Sequence, residues 1–200
     1  MSEALLQIEG LETYYGKVAA LRGVTAPIPH GFGLSARGIT LSTVGLVPGI
    51  RRLAGEGLPI TLAISLHAPD DALRDELVPV NRHYGIDQLL DAAWDYADAT
   101  KRRVSIEYAL IRAVNDAPDQ ADRLARQLLR RGDWGWCHVN LIPLNPTSAS
   151  GWTGSRRPDQ TRFQARLQAA GVPVTLRDTR GRDIDAACGQ LAAGRAGRTA

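Results

Sequence analysis

The chain has 200 residues, 44% of them hydrophobic and 22% charged, with a formal net charge of +3. This length and composition are typical of one folded domain. The sequence has no apolar run long enough to cross a membrane and no N-terminal signal pattern, so we expect a cytoplasmic protein without a membrane partner. The two cysteines, Cys137 and Cys188, form no C-x-x-C pair, which excludes a disulfide scaffold and a self-contained metal site.

The predicted strands begin near the N-terminus. Residues 5–22 predict a strand, a turn at Gly16 and a second strand, and the prolines and glycines from Pro27 onward predict a loop. Short β-branched, largely apolar runs then predict buried strands. They lie at residues 39–44, 60–67, 103–111, 137–144 and 172–177.

Helix patterns separate these strands. Residues 86–97 place their apolar side chains on one stripe, Pro118 and Pro158 are typical first residues of two more helices, and a final helix is predicted around 183–192. Strands that alternate with helices and are apolar on both faces indicate parallel βαβ units. Because a closed barrel needs about 250 residues, the chain predicts part of a barrel with an exposed edge strand.

Polar residues follow the predicted strands. One Ser or Asn in such a place is typical of a helix cap. A succession of them at the carboxyl ends of parallel strands instead predicts a mouth that binds a small polar ligand such as a nucleoside with amino and carboxylate groups. The residues concerned are Ser42 to Gly45, Ser65 to Pro69, Asn115 with Asp116, and Asn145.

Five segments in this order resemble one known family. They are GFGLSARGITLSTVGLVPGI, LAISLHAPDDALRDELVPVN, IEYALI followed by VND, VNLIPLNP, and TRGRDIDAACGQL. Together they resemble the C-terminal part of the RlmN-type radical-SAM RNA methyltransferases, over about residues 31–192. The resemblance implies the second half of a radical-SAM (βα) barrel and an enzyme that methylates carbon 2 of adenosine in 23S ribosomal RNA and in tRNA.

The resemblance also implies roles for single residues. Ser42, the segment Ser65, Leu66 and His67, and Asn145 would bind S-adenosylmethionine. Cys188 would carry the methyl group, because carbon 2 of adenine is too poor a nucleophile to attack the sulfonium methyl whereas a thiolate is a good one. A radical derived from a second S-adenosylmethionine at a 4Fe-4S cluster would then activate that methyl group. Members of the family are expected to act as monomers.

Arginines precede the Cys188 segment. Arg177, Arg180 and Arg182 are candidates for binding the RNA backbone near the methyl-carrying cysteine. The other basic pairs, such as Arg130-Arg131, are typical of solvated helix ends. Cys137, at the start of a predicted buried strand, is expected to be a core residue.

The sequence departs from the family in its cysteines. The family uses three in a C-x-x-x-C-x-x-C loop for the cluster, one as methyl carrier and one to resolve the RNA adduct, whereas this chain has two. No metal ligands are therefore expected in the chain, and we expect it to be inactive by itself. The alternative is a non-catalytic fragment that binds RNA or S-adenosylmethionine.

The first residues suggest a different origin. Residues 5–24 resemble the opening strands of an ABC-transporter ATPase, with Tyr15 in the place of the adenine-stacking aromatic. An ATPase fragment is the least favoured alternative, since no G-x-x-x-x-G-K-[ST] loop follows. We therefore predict a foreign β segment at 1–26, the barrel part at 27–192 and a disordered tail at 193–200.

Overall fold

The computed structural model describes residues 6–15, 18–28, 36–132, 135–145 and 151–177. The chain divides into two compact units, and residues 36–179 form the larger of them. The predicted final helix and the predicted tail both lie outside the described residues, as do Cys188, Arg180 and Arg182. None of the described helices combines the length and the apolar character needed to cross a membrane.

The smaller unit contains an antiparallel hairpin. Strand β1 (Leu6–Tyr15) pairs with β2 (Val18–Ile28), with Leu6 opposite Ile28 and Tyr15 opposite Val18. The predicted succession of two strands is confirmed. Strand β2 continues through Pro27, which we had assigned to a loop. Proline is compatible with a strand at the edge of a sheet because its missing N–H need not be paired there.

The larger unit contains a five-stranded sheet in which every pairing is parallel and the strand order is β3-β4-β5-β6-β7. All five predicted strands are confirmed, each shorter than its apolar run. Their bounds are β3 Thr40–Thr43, β4 Thr61–Ser65, β5 Val104–Leu110, β6 Cys137–Pro143 and β7 Val174–Leu176. The predicted parallel α/β architecture is therefore present.

Helices connect the strands. The structure has α1 (Val47–Gly55), α2 (Asp71–Leu77), α3 (Ile86–Thr100), α4 (Pro118–Leu129) and α5 (Arg157–Ala169), with short 3-10 turns at Ala36–Gly38 and Pro79–Arg82. Pro118 and Pro158 stand in the first turns of α4 and α5, as predicted. Helix α3 runs three residues beyond the predicted 97, to Thr100, and stops at Lys101, which has a left-handed backbone.

The central strands bury one face and not both. In β5 and in β6, buried residues alternate with half-buried ones along the whole strand. Ile106 and Val139 face the helices in a core that also contains Leu90 and Phe163. The prediction that these strands are apolar on both faces is wrong, because the opposite face of the sheet, here called the polar face, carries Ser105, Glu107 and Asn140.

The predicted open edge is confirmed at β3. Among the described strands, β3 pairs only with β4, and most of its residues are exposed. Leu41 in the strand and Val44 and Leu46 just after it are exposed apolar side chains, with accessible fractions of 39%, 44% and 54%. The apolar side chains on this side of the sheet are therefore accessible, and the backbone edge of β3 pairs with no further strand among those described.

Candidate functional site

The predicted ligand residues lie along one edge of the sheet. Ser42 is in β3 and exposed, Ser65 ends β4 and His67 follows it, and Asn145 comes two residues after β6. Ser65, His67 and Asn145 are half-buried. Because all these strands are parallel, their carboxyl ends meet at the same edge. The structure thus brings the predicted residues to one side of the sheet, and their role in binding a ligand stays a prediction.

His67 has an uncommon backbone. Its φ of 60° lies in the left-handed region, which a residue with a side chain rarely adopts. Its Nδ1 accepts a hydrogen bond from the Ala109 N–H at 3.0 Å, so the neutral ring carries its proton on Nε2. Burial, aided by the positive charge of Arg74, lowers the pKa of His67 to about 4. The ring is therefore neutral at physiological pH and offers Nε2–H as a donor.

The lowered pKa of His67 predicts acid-sensitive stability. Above the ordinary pKa of 6.5 the ring is neutral in both the folded and the unfolded chain. As the pH falls from 6.5 towards 4, the unfolded chain takes up a proton that the folded chain refuses, so roughly 3 kcal/mol of stability is lost. Urea unfolding at a series of pH values measures this loss.

The matched control for the pH experiment is His67→Asn. Asn tolerates a left-handed backbone, its Oδ1 can replace Nδ1 as acceptor for Ala109, and it does not titrate. We expect the free energy of unfolding of this variant to depend less on pH between 6.5 and 4 than that of the unmodified chain. Equal pH dependence in the two proteins would contradict the assignment to His67.

Asn115 supports the His67 segment from behind. The side chain is fully buried, and its Nδ2 donates to the carbonyls of His67 and Ala109 at 2.8 and 2.7 Å. Its Oδ1 accepts from the Ile111 N–H at 2.7 Å. Its polar atoms are all used inside the protein. Of the polar residues that we placed at strand ends, Asn115 is therefore a support for the site and makes no ligand contact itself.

Arg74, which the sequence analysis did not single out, lies beneath the same strand ends. Its side chain is fully buried in α2. Nε donates to the Leu66 carbonyl at 3.1 Å, and Nη2 donates to the carbonyls of Val44 and Ser65 at 2.8 and 3.0 Å. Nη1 donates to Asn81 Oδ1 at 2.8 Å. One guanidinium thus joins the ends of β3 and β4.

The charge of Arg74 is retained despite its burial. Burial lowers the pKa of Arg74 to about 10, and the carboxylates of Asp71 and Asp75 act in the opposite direction. The group is still protonated at neutral pH. Gly45 passes close to it: a Cβ at this position would lie 3.3 Å from Arg74 Nη2 and 3.1 Å from a methyl carbon of Leu89, and its φ is +116°. Glycine therefore fits where the chain leaves β3.

Leu66 is buried between Ser65 and His67. Its side chain is fully buried, its N–H donates to the Glu107 carbonyl at 3.0 Å, and its carbonyl accepts from Arg74. Both backbone groups are thus already hydrogen-bonded within the protein. The flanking residues Ser65 and His67 are the ones of this segment whose side chains are partly accessible.

The remaining predicted residues differ in their exposure and their contacts. Arg177 follows β7, is exposed, and donates its backbone N–H to the Leu141 carbonyl at 2.9 Å. Cys137 is fully buried, and burial raises its pKa to about 12, which confirms it as a core residue. Arg131 differs from the prediction of a solvated helix end, because it forms ion pairs with Asp87 and Asp91 of α3.

Within the described ranges, no group of three or more His, Cys, Asp or Glu side chains is arranged to hold a metal ion. Cys188, the predicted methyl carrier, lies outside those ranges. The chemistry visible at the strand ends is therefore that of hydrogen bonding: a serine hydroxyl on each of two neighbouring strands, an imidazole N–H and an amide. These groups suit a small polar ligand rich in hydroxyl, amino and carboxylate groups.

Comparison with known proteins gives close relatives. The probable dual-specificity RNA methyltransferase RlmN of Cutibacterium acnes is 62% identical over 185 residues, which are 92% of this chain and 46% of that protein. The protein of the same name from Nocardioides sp. is 58% identical over 92% of this chain and 49% of its own length. No protein-family model matches the chain.

Two solved structures are also similar to this chain. The crystal structure of a radical SAM methyltransferase from Sphaerobacter thermophilus matches with a TM-score of 0.75 and 52% identity, over 80% of this chain and 46% of that one. A domain of pyruvate-formate lyase-activating enzyme from Bacteroides vulgatus matches with a TM-score of 0.54 at 17% identity, which shows a shared fold alone.

The parallel sheet and these similarities define the fold as that of the radical-SAM methyltransferases. Within this class, the matched residues of the chain belong to the RlmN family. The chain spans about half the length of the curated relatives it matches. A match over 92% of the chain also extends beyond residues 27–200, so the similarity includes part of the segment 1–26 that we had predicted to be foreign.

Proposed function

We propose that this chain is the S-adenosylmethionine-binding and methyl-carrying part of an RlmN-type enzyme that methylates carbon 2 of adenosine in 23S ribosomal RNA and in tRNA. The observation that carries the proposal is the identity of about 60% to RlmN proteins over nine-tenths of the chain. The finer statements, on the substrate atom, the RNA and the residues, are inferences from that relationship and from the chemistry of the strand ends.

The residues at the strand ends fit S-adenosylmethionine. Ser42 and Ser65 supply hydroxyl groups. His67 supplies the Nε2–H of an imidazole ring that is neutral at physiological pH, and Asn145 supplies an amide that both donates and accepts. A neutral His67 would avoid placing a second positive charge beside the sulfonium of the ligand. When bound, S-adenosylmethionine supplies the methyl group; the chain's own residues bind and orient it.

The burial of one cysteine supports the assignment of the other as methyl carrier. A methyl-accepting thiol must reach the thiolate state and must be accessible to its methyl donor. Cys137 meets neither condition, because it is fully buried in β6 and burial raises its pKa to about 12. Cys188, the other cysteine of the chain, is the one to which the resemblance to the family assigns this role.

The cysteines do not fit the iron-sulfur cluster that radical-SAM enzymes use. Three thiolates are needed for it, and the chain offers Cys137, buried with a raised pKa, and Cys188. We therefore derive no step through a cluster. We propose that the radical step needs three cysteines from a further polypeptide segment that is not part of these 200 residues. The alternative, a non-catalytic RNA- or S-adenosylmethionine-binding fragment, rests on the same cysteine count.

RNA is the proposed macromolecular partner. Arg177, Arg180 and Arg182 lead towards Cys188 and would contact RNA phosphates beside the target base. Arg177 is exposed, as this role requires. The proposal also implies a cytoplasmic location, where ribosomal and transfer RNA are found, and action as a monomer.

The test of the proposed function is the mass of the Cys188 peptide. The chain is produced in cells together with a full-length RlmN relative, and the Cys188 and Cys137 peptides are compared by mass spectrometry. We expect one added methyl group on the Cys188 peptide and none on the Cys137 peptide, which is the control within the same molecule. A Cys188→Ser chain should carry no methyl group. An unmodified Cys188 thiol, with the relative active in the same cells, would overturn the proposal.

A further inference from the structure

Glu107 is a charged residue in the middle of the polar face of the sheet, and it is not among the residues proposed above to bind S-adenosylmethionine. It lies in β5, opposite Ser65 of β4 on one side and Asn140 of β6 on the other. Its Oε1 accepts hydrogen bonds from Ser105 Oγ at 2.5 Å and from Asn140 Nδ2 at 3.2 Å. Two neighbours thus hold the carboxylate in a fixed orientation.

The second oxygen of the carboxylate has no hydrogen-bond partner among the residues that the structure describes. Among the described residues, Glu107 Oε2 accepts no hydrogen bond, and no lysine or arginine there forms an ion pair with Glu107. The Ser65 hydroxyl has no hydrogen-bond partner among those residues either. Both residues are half-buried. Paired residues of neighbouring strands lie about 4.8 Å apart, so the free acceptor and the free hydroxyl are side by side.

Such a pair matches the hydroxyl groups of a ribose. A carboxylate that accepts from a ribose hydroxyl is a recurrent way of binding nucleosides at the strand ends of α/β folds. Among the described residues, the polar neighbours of Glu107 are the Ser105 hydroxyl, the Asn140 amide and the His138 imidazole, on which its charge acts. Its Oε1 is already occupied, which leaves one acceptor for one hydroxyl donor. A site for an ammonium group would instead need several free acceptors around the cation.

We propose that Glu107 binds a ribose hydroxyl of the adenosyl group of S-adenosylmethionine, with Ser65 beside it. The inference rests on the proposed function, because it takes the strand ends as the S-adenosylmethionine site. It adds a specificity-determining residue: ligands that lack the ribose hydroxyl should bind less well, and Glu107 should be the reason. Ser105 and Asn140 are positioning residues that hold the carboxylate.

The experiment is a binding cycle between protein and ligand variants. Isothermal titration calorimetry measures the affinity of the chain for S-adenosylhomocysteine and for its 2′-deoxy and 3′-deoxy analogues. The variant is Glu107→Gln, which keeps Oε1 as the acceptor for Ser105 and Asn140 but replaces the acceptor Oε2 with the donor group Nε2–H₂. Because a hydrogen bond to a charged acceptor is lost, we expect S-adenosylhomocysteine to bind about tenfold more weakly. The deoxy analogue that lacks the bound hydroxyl should bind both proteins equally.

The control variant is Glu56→Gln, which makes the same chemical change at the exposed C-terminal end of α1. It should bind all ligands as the unmodified chain does. Two results overturn the inference alone: unchanged affinity in Glu107→Gln, or the same weakening for S-adenosylhomocysteine and both deoxy analogues. If the unmodified chain binds none of these ligands, the proposed cofactor site fails, and the inference fails with it.

Discussion

Replacing Arg74 with leucine is expected to lower the free energy of unfolding by about 3–5 kcal/mol, a large share of the stability of an ordinary domain. The guanidinium is fully buried and donates to the carbonyls of Val44, Ser65 and Leu66 and to the side chain of Asn81. Leucine would leave these acceptors buried without donors, and a buried acceptor without a partner is costly. Urea unfolding of the variant and the unmodified chain measures the difference.

Two further variants make the Arg74 result specific. Arg126→Ala removes an exposed arginine from α4 and should change the free energy of unfolding by less than about 0.5 kcal/mol. Arg74→Lys retains the charge but lacks the planar group that reaches several carbonyls at once, so its loss should lie between the other two. If Arg74→Leu were as stable as Arg126→Ala, the guanidinium would not be what joins β3 to β4.

Asn115→Asp is the second substitution with a large expected effect, although it changes a single group of atoms. The amide donates to the carbonyls of His67 and Ala109, and a carboxylate there would turn an acceptor towards two other acceptors. Two hydrogen bonds would be lost and a charge would be buried without a cation. We expect a loss of about 3–5 kcal/mol in the free energy of unfolding at pH 7.

The pH dependence of the Asn115→Asp variant gives its sharpest test. Burial beside carbonyls should raise the pKa of the introduced carboxyl in the folded state above its ordinary value near 4. The variant should therefore approach the unmodified chain in stability at acidic pH, where the carboxyl is protonated and can donate, and fall behind as the pH rises. A stability difference that does not change with pH would contradict this. Gln88→Glu, on the exposed surface of α3, is the control.

Both substitutions should also affect the proposed ligand site. Arg74 holds the carbonyls of Ser65 and Leu66, and Asn115 holds the carbonyl of His67, whose backbone has a φ of 60°. A left-handed backbone at a histidine costs of order 1–3 kcal/mol and persists because its surroundings hold it in place. Without these supports the segment from Ser65 to His67 should relax, so that ligand binding weakens together with stability.

The sequence of β5 by itself predicts part of the polar face. The run RVSIEYALI in β5 places a serine, a glutamate and an alanine at every second position, and this alternation is typical of a strand with one buried face. Its β-branched residues instead favour a strand with two apolar faces, and that prediction is wrong here. Strand order is decided by the fold, so no local pattern predicts that Ser65, Glu107 and Asn140 are neighbours in one row.

Local patterns by themselves determined the strands, the helices and the parallel α/β class of this protein, because apolar periodicity and helix-starting prolines act over a few residues. The resemblance of long segments also determined its family. The tertiary structure alone decided which polar groups are already hydrogen-bonded: Asn115 and Arg74 use their polar side-chain atoms beneath the proposed site, whereas one oxygen of Glu107 has no partner among the described residues. The physical reason is that hydrogen-bond partners far apart in sequence meet only after the strands have paired.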